Sequence, residues 1–173
     1  MSRALVGGGC FWCTEGAFKQ IKGIKSALPA YAGGHVKVPT YRSVCDGNTG
    51  HAEIVEVVFD ESIISFETIL DVFFTAHDPT QLNRQGNDIG TQYRSCIMPT
   101  NENQREIAIN KISEMEDYFD NEIVTTIEEP LNFTIAEQYH HDYYARNPTQ
   151  GYCMAVVGPK LSKVRKKFAH LYK

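Results

Sequence analysis

Residues 6–18 read VGGGCFWCTEGAF and combine three consecutive glycines with two cysteines and three large aromatic side chains. Glycine lets the backbone turn sharply or approach a ligand closely. The preceding run, residues 4–6, suits a strand, and residues 14–21 suit a short helix. We therefore predict that Cys10 lies at a strand-to-helix turn. Unpaired backbone amides and the positive helix end should lower the pKa of its thiol there, which makes Cys10 a candidate nucleophile.

The segments that follow alternate between strand and helix patterns. Beyond the first strand and helix we predict a second and third strand, a helix and a fourth strand, at residues 26–34, 51–59, 65–77 and 93–99. The order β-α-β-β-α-β is typical of a ferredoxin-like α+β sandwich, in which two helices cover one face of an antiparallel sheet.

The remaining segments add loops and appended helices to this unit. Residues 35–50 and 78–92 are rich in Gly, Asn and Asp and predict long loops, which in compact domains usually carry function. Residues 101–119 predict a third helix with one apolar stripe. Beyond it we expect a long, irregular C-terminal region that contains a short strand, a helical stretch at 136–146 and a C-terminal helix.

Length and composition limit the classes of protein to which the chain can belong. With 173 residues, 42% hydrophobic and 22% charged, we expect residues 1–173 to form a single globular domain, acting as a monomer. The net charge of -4 argues against a nucleic-acid partner, and the basic C-terminal tail suits a docked helix. No apolar run is long enough for a membrane span, and the nine residues before Cys10 are too few for a signal peptide. Five cysteines, an odd number, indicate reduced thiols in the cytoplasm.

Glu53 is a carboxylate on an apolar strand face. In the segment HAEIVEVVF, residues 51–59, side chains alternate across the sheet, so Glu53 shares its face with Val55, Val57 and Phe59. A desolvated carboxyl holds its proton more tightly, which makes Glu53 a candidate general acid.

Two tyrosines, Tyr41 and Tyr93, lie in or beside the long loops and offer hydroxyl donors. A nucleophilic thiol, a protonated carboxyl and phenol donors together suit attack on a polarised S=O or C=O group.

Five segments of the chain closely resemble the peptide methionine sulfoxide reductase A family. They occur in the family's order and together extend over nearly the whole chain: GGCFW, TYRSVCDGNTGHAE, HDPTQLNRQGNDIGTQYRS, AEQYHHDYY and NPTQGYC. The resemblance implies reduction of methionine S-sulfoxide, free or in proteins, in the repair of oxidative damage. It implies no cofactor.

The resemblance also implies roles for individual residues. Cys10 would attack the sulfoxide sulfur while Glu53 protonates its oxygen. The hydrogen-bonding site would be completed by Tyr41, Asp88 and Tyr93. The apolar pocket for the substrate methyl group would be formed by Phe11 and Trp12.

Recycling of the nucleophile requires a second thiol. Attack on a sulfoxide leaves a sulfenic acid, which condenses readily with another thiol to a disulfide. The resemblance implies that Cys153, in the GYC segment, is this resolving thiol and that thioredoxin reduces the disulfide. The commonest family form has glycine where this chain has Cys13, and Cys10-x-x-Cys13 is itself a dithiol at a helix start. Whether Cys13 or Cys153 resolves is therefore open at this stage.

Two other classes of protein fit the sequence less well. A thioredoxin-like oxidoreductase also carries a CxxC motif after a strand, but that fold needs a strand and helix ahead of the motif, and ten residues do not supply them. A metal-binding module would need more ligands, because a second CxxC is absent and the adjacent His140 and His141 point in different directions on a helix. We expect no metal site, and we interpret Cys45 and Cys96 as bystanders.

Overall fold

A six-stranded sheet forms the centre of the molecule in the computed structural model, which describes residues 1–173. Its three long strands are β1 (Ser2–Gly7), β2 (Ile24–Ala32) and β3 (Ala52–Phe59). β3 lies between the other two and is antiparallel to both. The alternation of side chains along β3 explains this central place, because Val55 and Val57 enter the large hydrophobic core while Ile54 enters a smaller core on the opposite face.

Short strands extend the sheet at both edges. The five short strands are β4 (Arg84–Gln85), β5 (Asp88–Ile89), β6 (Cys96–Ile97), β7 (Thr126–Ile127) and β8 (Thr134–Ile135). Strands β6, β7 and β8 complete the six-stranded sheet, whose order is β7-β6-β1-β3-β2-β8, while β4 and β5 pair with each other in a separate two-stranded hairpin. β6 is antiparallel to β1, and β7 is parallel to β6. The α+β class predicted from the sequence is confirmed.

Six α-helices pack around the sheet and its loops. They are α1 (Phe11–Lys19), α2 (Tyr41–Cys45), α3 (Phe66–Ala76), α4 (Glu102–Met115), α5 (Tyr143–Arg146) and α6 (Gly158–Lys167), with a π-helical turn, Cys153–Val157, directly before α6. Helices α1 and α3 contribute Phe11, Phe18 and Phe73 to the large core. None of these helices has the length and apolar character that crossing a membrane requires.

Three local predictions differ from the structure. Residues 35–50 are not loop throughout, because Thr40 accepts a hydrogen bond from the backbone N–H of Ser43 and so caps the short helix α2. Residues 78–92 contain the β4–β5 hairpin. The stretch 136–146 forms a 3-10 turn and the one-turn helix α5 instead of one helix, because Asp142 between them adopts a left-handed conformation (φ 59°) that interrupts helical geometry.

The end of the chain is tied to the end of α1. The hydroxyl of Tyr172 donates to the carbonyl oxygen of Ala17 at 2.8 Å, and the backbone N–H of Lys22 donates to the carbonyl oxygen of Leu171 at 2.8 Å. Tyr172 also forms an isolated β-bridge with Ile21. The helix that follows the glycine-rich turn is therefore fixed by residues more than 150 positions later.

Candidate active site

Cys10 occupies the N-cap of α1, as the sequence predicts. Its extended backbone follows Gly9, which has a φ of 80° and whose N–H donates to the carbonyl oxygen of Tyr93 at 3.1 Å. The backbone N–H of Trp12 and the hydroxyl of Tyr152 lie close enough to the Cys10 sulfur to favour its thiolate. Two polar groups thus lie beside the one thiol.

The pKa of Cys10 does not follow the prediction from sequence. Burial raises it well above the ordinary value, and the nearby negative charge of Glu53 raises it further. The nearby N–H of Trp12 and hydroxyl of Tyr152 lower it, but they do not compensate for the loss of water around the anion. The expectation of a lowered pKa is therefore wrong, because the helix start is buried and not open to solvent.

Glu53 lies on β3 with its carboxyl buried under the start of α1, and the residue is 1% exposed. Its Oε1 accepts a hydrogen bond from the backbone N–H of Phe11 at 3.1 Å. Burial raises the pKa of Glu53 from 4.5 to about 8, the Phe11 N–H opposes this rise, and the charge of Asp88 adds to it. At neutral pH this carboxyl is therefore mostly protonated.

Three tyrosine hydroxyls complete the polar part of the site. Tyr152, which sequence reasoning missed, donates to Oδ2 of Asp88 at 2.5 Å. Burial, and after it the charge of Glu53, raises the pKa of both Tyr41 and Tyr93, so both phenols keep their protons. Tyr41, Tyr93 and Asp88 thus lie near the carboxyl of Glu53, and Glu53 and Tyr93 lie near the Cys10 thiol.

Aromatic rings form the apolar part of the site. The ring of Phe11 is fully buried and packs against Tyr41, with centroids 6.4 Å apart. The ring of Trp12 stacks on Tyr143 at 3.8 Å with an angle of 7° between the planes. The indole N–H of Trp12 donates to Nδ1 of His140 at 3.1 Å. Together these rings form an apolar wall beside Cys10.

The two adjacent histidines have different environments. His140 is buried among aromatic rings, and burial lowers its pKa from 6.5 to about 4. Because its Nδ1 accepts from Trp12, the ring is neutral and its proton is on Nε2. His141 is half-buried, and its Nε2 bonds with the carbonyl oxygen of Ala136 at 2.9 Å.

All five cysteines are free thiols. Cys13 is buried on the inner side of α1, where burial raises its pKa to about 11 and the charge of Lys160 opposes the rise. Cys153 lies close enough to Cys13 for its charge to act on the Cys13 thiol. The three thiols of Cys10, Cys13 and Cys153 thus belong to one buried region.

Cys153 lies in a helical turn and not in a loop. It begins the π-helical turn, is fully buried, and its N–H is bound by Oε1 of Gln150 at 3.0 Å. Cys153 and Val157, one turn apart, both lie in the large core, whereas Met154 between them is exposed.

The two remaining cysteines lie outside this trio. Cys45 ends α2, is exposed, and accepts a hydrogen bond from the hydroxyl of Tyr41. Cys96 is buried on β6 and faces the smaller core.

The residues that sequence reasoning missed all come from one segment. Glu137 accepts the backbone N–H of Tyr41 at 2.8 Å and the hydroxyl of Tyr31 at 2.7 Å. His140, Tyr143 and Tyr152 contact Trp12. One feature of the sequence does indicate that this segment contributes to the site: residues 139–152 contain more aromatic side chains than one short helix needs for packing.

The chain matches proteins of known function over nearly its full length. A family model described as peptide methionine sulfoxide reductase matches residues 2–172. The peptide methionine sulfoxide reductase MsrA of Chromobacterium violaceum is 50% identical over 173 residues, which cover 99% of this chain and 98% of the relative.

Two solved structures of a yeast protein are also similar to this chain. The reduced form of Mxr1 from Saccharomyces cerevisiae is similar with a TM-score of 0.82 at 34% identity and covers 88% of each chain. The same yeast protein in complex with Trx2 has a TM-score of 0.58 at 25% identity and covers 80% of this chain and 83% of its own.

Proposed function

Because the chain belongs to the peptide methionine sulfoxide reductase family, we propose that Cys10 is the nucleophile with which it reduces methionine sulfoxide. The protein is a peptide-methionine (S)-S-oxide reductase and converts the sulfoxide to methionine by thiol chemistry. The observation that carries the assignment of Cys10 is its thiol at the start of α1, beside the buried carboxyl of Glu53.

The reductive step uses both the Cys10 thiol and the Glu53 carboxyl. The Cys10 thiolate attacks the sulfoxide sulfur, and Glu53 gives its proton to the sulfoxide oxygen, which is a poor leaving group until it is protonated. The protonated oxygen then passes from the methionine sulfur to the Cys10 sulfur, the bond between the two sulfurs breaks, methionine leaves as the thioether, and Cys10 is left as a sulfenic acid. The sulfoxide is reduced by two electrons and Cys10 is oxidised by two. A carboxyl with a pKa of about 8 still holds its proton at neutral pH and so suits this role.

The surrounding side chains bind the substrate. The hydroxyls of Tyr41 and Tyr93 donate to the sulfoxide oxygen, and Asp88 holds the hydroxyl of Tyr152 near Cys10. The rings of Phe11 and Trp12 form the apolar pocket for the methyl group on the sulfoxide sulfur. This pocket accepts free methionine sulfoxide as well as the same side chain in an oxidised protein.

A second thiol returns Cys10 to its starting state. The thiol of Cys153 attacks the Cys10 sulfenic acid, releases water and forms a disulfide, while Cys13 is the secondary partner that receives the disulfide by exchange. Thioredoxin then supplies two electrons. The complex of the yeast relative with Trx2 supports this choice of reductant. Thiols carry all the electrons, so the cycle uses no cofactor and no metal.

The remaining assignments concern the whole chain. Strands β6, β1, β3 and β2 lie in the order of a ferredoxin-like β-α-β-β-α-β unit, with α1 and α3 as its two helices, and the C-terminal elements are appended to this single domain. The protein acts in the cytoplasm, where free thiols persist. It acts as a monomer, because one chain supplies every residue of the proposed cycle. Cell fractionation and light scattering test these two assignments.

The Cys10→Ser variant tests the nucleophile. Without reductant, the wild-type protein should release one or two equivalents of methionine from methionine S-sulfoxide, and the variant should release none, because a hydroxyl is a far weaker nucleophile than a thiolate. Cys45→Ser is the matched control, since it removes a thiol outside the buried trio and keeps an acceptor for Tyr41. Release of methionine by Cys10→Ser at the wild-type rate would exclude Cys10 as the nucleophile.

A further inference from the structure

Glu15 is a buried carboxylate that the proposed cycle does not use. It lies on α1 one turn after Trp12, and its side chain is 2% exposed. Carboxylates are rarely buried to this extent unless they have a partner, because removing the anion from water is costly. The partners of Glu15 therefore indicate what it does.

These partners are backbone groups at the start of α5. Oε2 of Glu15 accepts the N–H of Asp142 at 2.8 Å, and the carboxylate also receives a hydrogen bond from the N–H of Tyr143. The first N–H groups of a helix have no acceptor within the helix. Asp142, at the N-cap of α5, makes no capping bond with its own side chain. Glu15 therefore supplies the cap from another helix.

Tyr143, the first residue of α5, packs on the substrate pocket. Its ring stacks on the indole of Trp12 at 3.8 Å and nearly parallel. Helices α1 and α5 are thus joined at two points, by the carboxylate of Glu15 and by the stacked rings. Lys19 adds a weaker link, because its Nζ lies 3.5 Å from Oδ1 of Asp142 and 3.9 Å from Oε2 of Glu15 at a partly exposed position.

We propose that Glu15 is a positioning residue whose carboxylate holds the start of α5 against α1, so that Tyr143 keeps the Trp12 ring in place as a wall of the substrate pocket. The inference rests on the proposed role of Trp12 in binding the methyl group. Loss of the carboxylate lets α5 move away and leaves Trp12 in contact with His140 and Tyr152 only on its other sides. The sulfoxide then binds less tightly, whereas Cys10 and Glu53, which do not contact Glu15, react as before.

The test uses Glu15→Leu, which removes both acceptors, and Glu15→Gln, which keeps one carbonyl oxygen. Glu106→Gln, an exposed glutamate on α4, is the control. Trp12 is the only tryptophan in the chain, so fluorescence without substrate reports directly on its stacking. In parallel, single-turnover release of methionine is measured against sulfoxide concentration.

Glu15→Leu should shift the Trp12 emission to longer wavelength and raise the half-saturating sulfoxide concentration about tenfold, while the limiting rate stays within about threefold. Glu15→Gln should show a smaller effect on both, and Tyr143→Ala should reproduce the effect of Glu15→Leu. A role confined to stability would lower Tm and leave both readouts unchanged.

Unchanged emission and half-saturation in a folded Glu15→Leu would overturn the proposal. If Glu15→Leu does not fold, the test uses Glu15→Gln, Tyr143→Ala and the double variant that combines them. The proposal requires that the two single effects on the half-saturating sulfoxide concentration are non-additive in the double variant, and additive effects overturn it as well. The emission is read without substrate, so it does not depend on the assignment of Cys10 as nucleophile, which the Cys10→Ser experiment tests separately.

Discussion

At the scale of single residues, the ionised forms of Cys10 and Glu53 destabilise each other in the resting site. Burial disfavours the anion of each, and the carboxylate of Glu53 disfavours the thiolate of Cys10. The two groups therefore do not both ionise readily, and the reactive arrangement is a thiolate beside a protonated carboxyl.

The pH dependence of the reductive step follows from the pKa of Glu53. Because the reactive form pairs a thiolate with a protonated carboxyl, the single-turnover rate of the wild-type protein should rise with pH up to about 8 and decline at higher pH, once the pair has lost both of its protons. Glu53→Gln should be slower by roughly 10²–10⁴ and should lack this decline. Stopped-flow measurements between pH 6 and 10 check both. If the decline persists in Glu53→Gln, another group is the acid.

The choice between the two resolving thiols is also a question about residues. Cys153→Ser should release one equivalent of methionine and recycle poorly with thioredoxin, whereas Cys13→Ser should keep most of its turnover. Mass spectrometry after one turnover identifies the disulfide partner of Cys10. The roles are reversed if Cys13→Ser stalls at the sulfenic acid and Cys153→Ser cycles normally.

At the scale of elements, the turn between β1 and α1 is fixed by close backbone contacts. A Cβ atom on Gly8 would lie 2.6 Å from the ring of His77. That ring is bound on both sides, by the carbonyl oxygen of Phe73 and the hydroxyl of Ser95, each at 2.7 Å. The turn that carries Cys10 therefore has no room to shift toward α3.

Gly8→Ala should consequently destabilise the protein by about 1–3 kcal/mol. It should also slow methionine release, because the turn carrying Cys10 has to move away from His77. Gly151→Ala is the control, since a Cβ there meets no atom within 4 Å. Thermal unfolding and single-turnover assays check the pair, and equal Tm values for the two variants would contradict the prediction.

Elements with strong local patterns were predictable, and those held by distant contacts were not. The alternation around Glu53 places it on the core face because strand geometry is local. The positions of Tyr143 and Tyr152 were not predictable, because α5 is one turn long and is held by Glu15, more than 120 residues earlier. The pKa of Cys10 was predicted in the wrong direction for a similar reason: burial of the thiol in the folded protein decides it, and no local pattern shows this.

At the scale of the whole molecule, the buried carboxyl of Glu53 opposes folding at alkaline pH. Its pKa is about 8 in the folded protein and about 4.5 in the unfolded chain. Between these values the folded state holds the extra proton, so the free energy of unfolding falls as pH rises, by up to about 1.4 kcal/mol per pH unit. The proposed general acid is thus retained at the expense of stability.

Glu53→Gln should therefore raise Tm by roughly 5–10 °C at pH 8.5 and change it little at pH 5. The amide is neutral at both pH values and still offers an acceptor to the N–H of Phe11. Glu56→Gln, on the opposite face of β3, is the control and should show the same difference between the two pH values as the wild type. Calorimetry at both pH values measures these differences in Tm. A Tm of Glu53→Gln below that of the wild type at pH 8.5 would contradict the prediction.

The bond between Tyr172 and α1 also sets the order in which the protein matures on the ribosome. The segment with Cys10 is synthesised first, but its helix is fixed by residues that are synthesised last. The long sequence separation of these contacts means that the nascent chain cannot close the site while translation is in progress. We therefore expect the reductase to gain its activity only after its last residues have left the ribosome, and a product that ends before Tyr143 to carry the Cys10 thiol without the ring that stacks on Trp12.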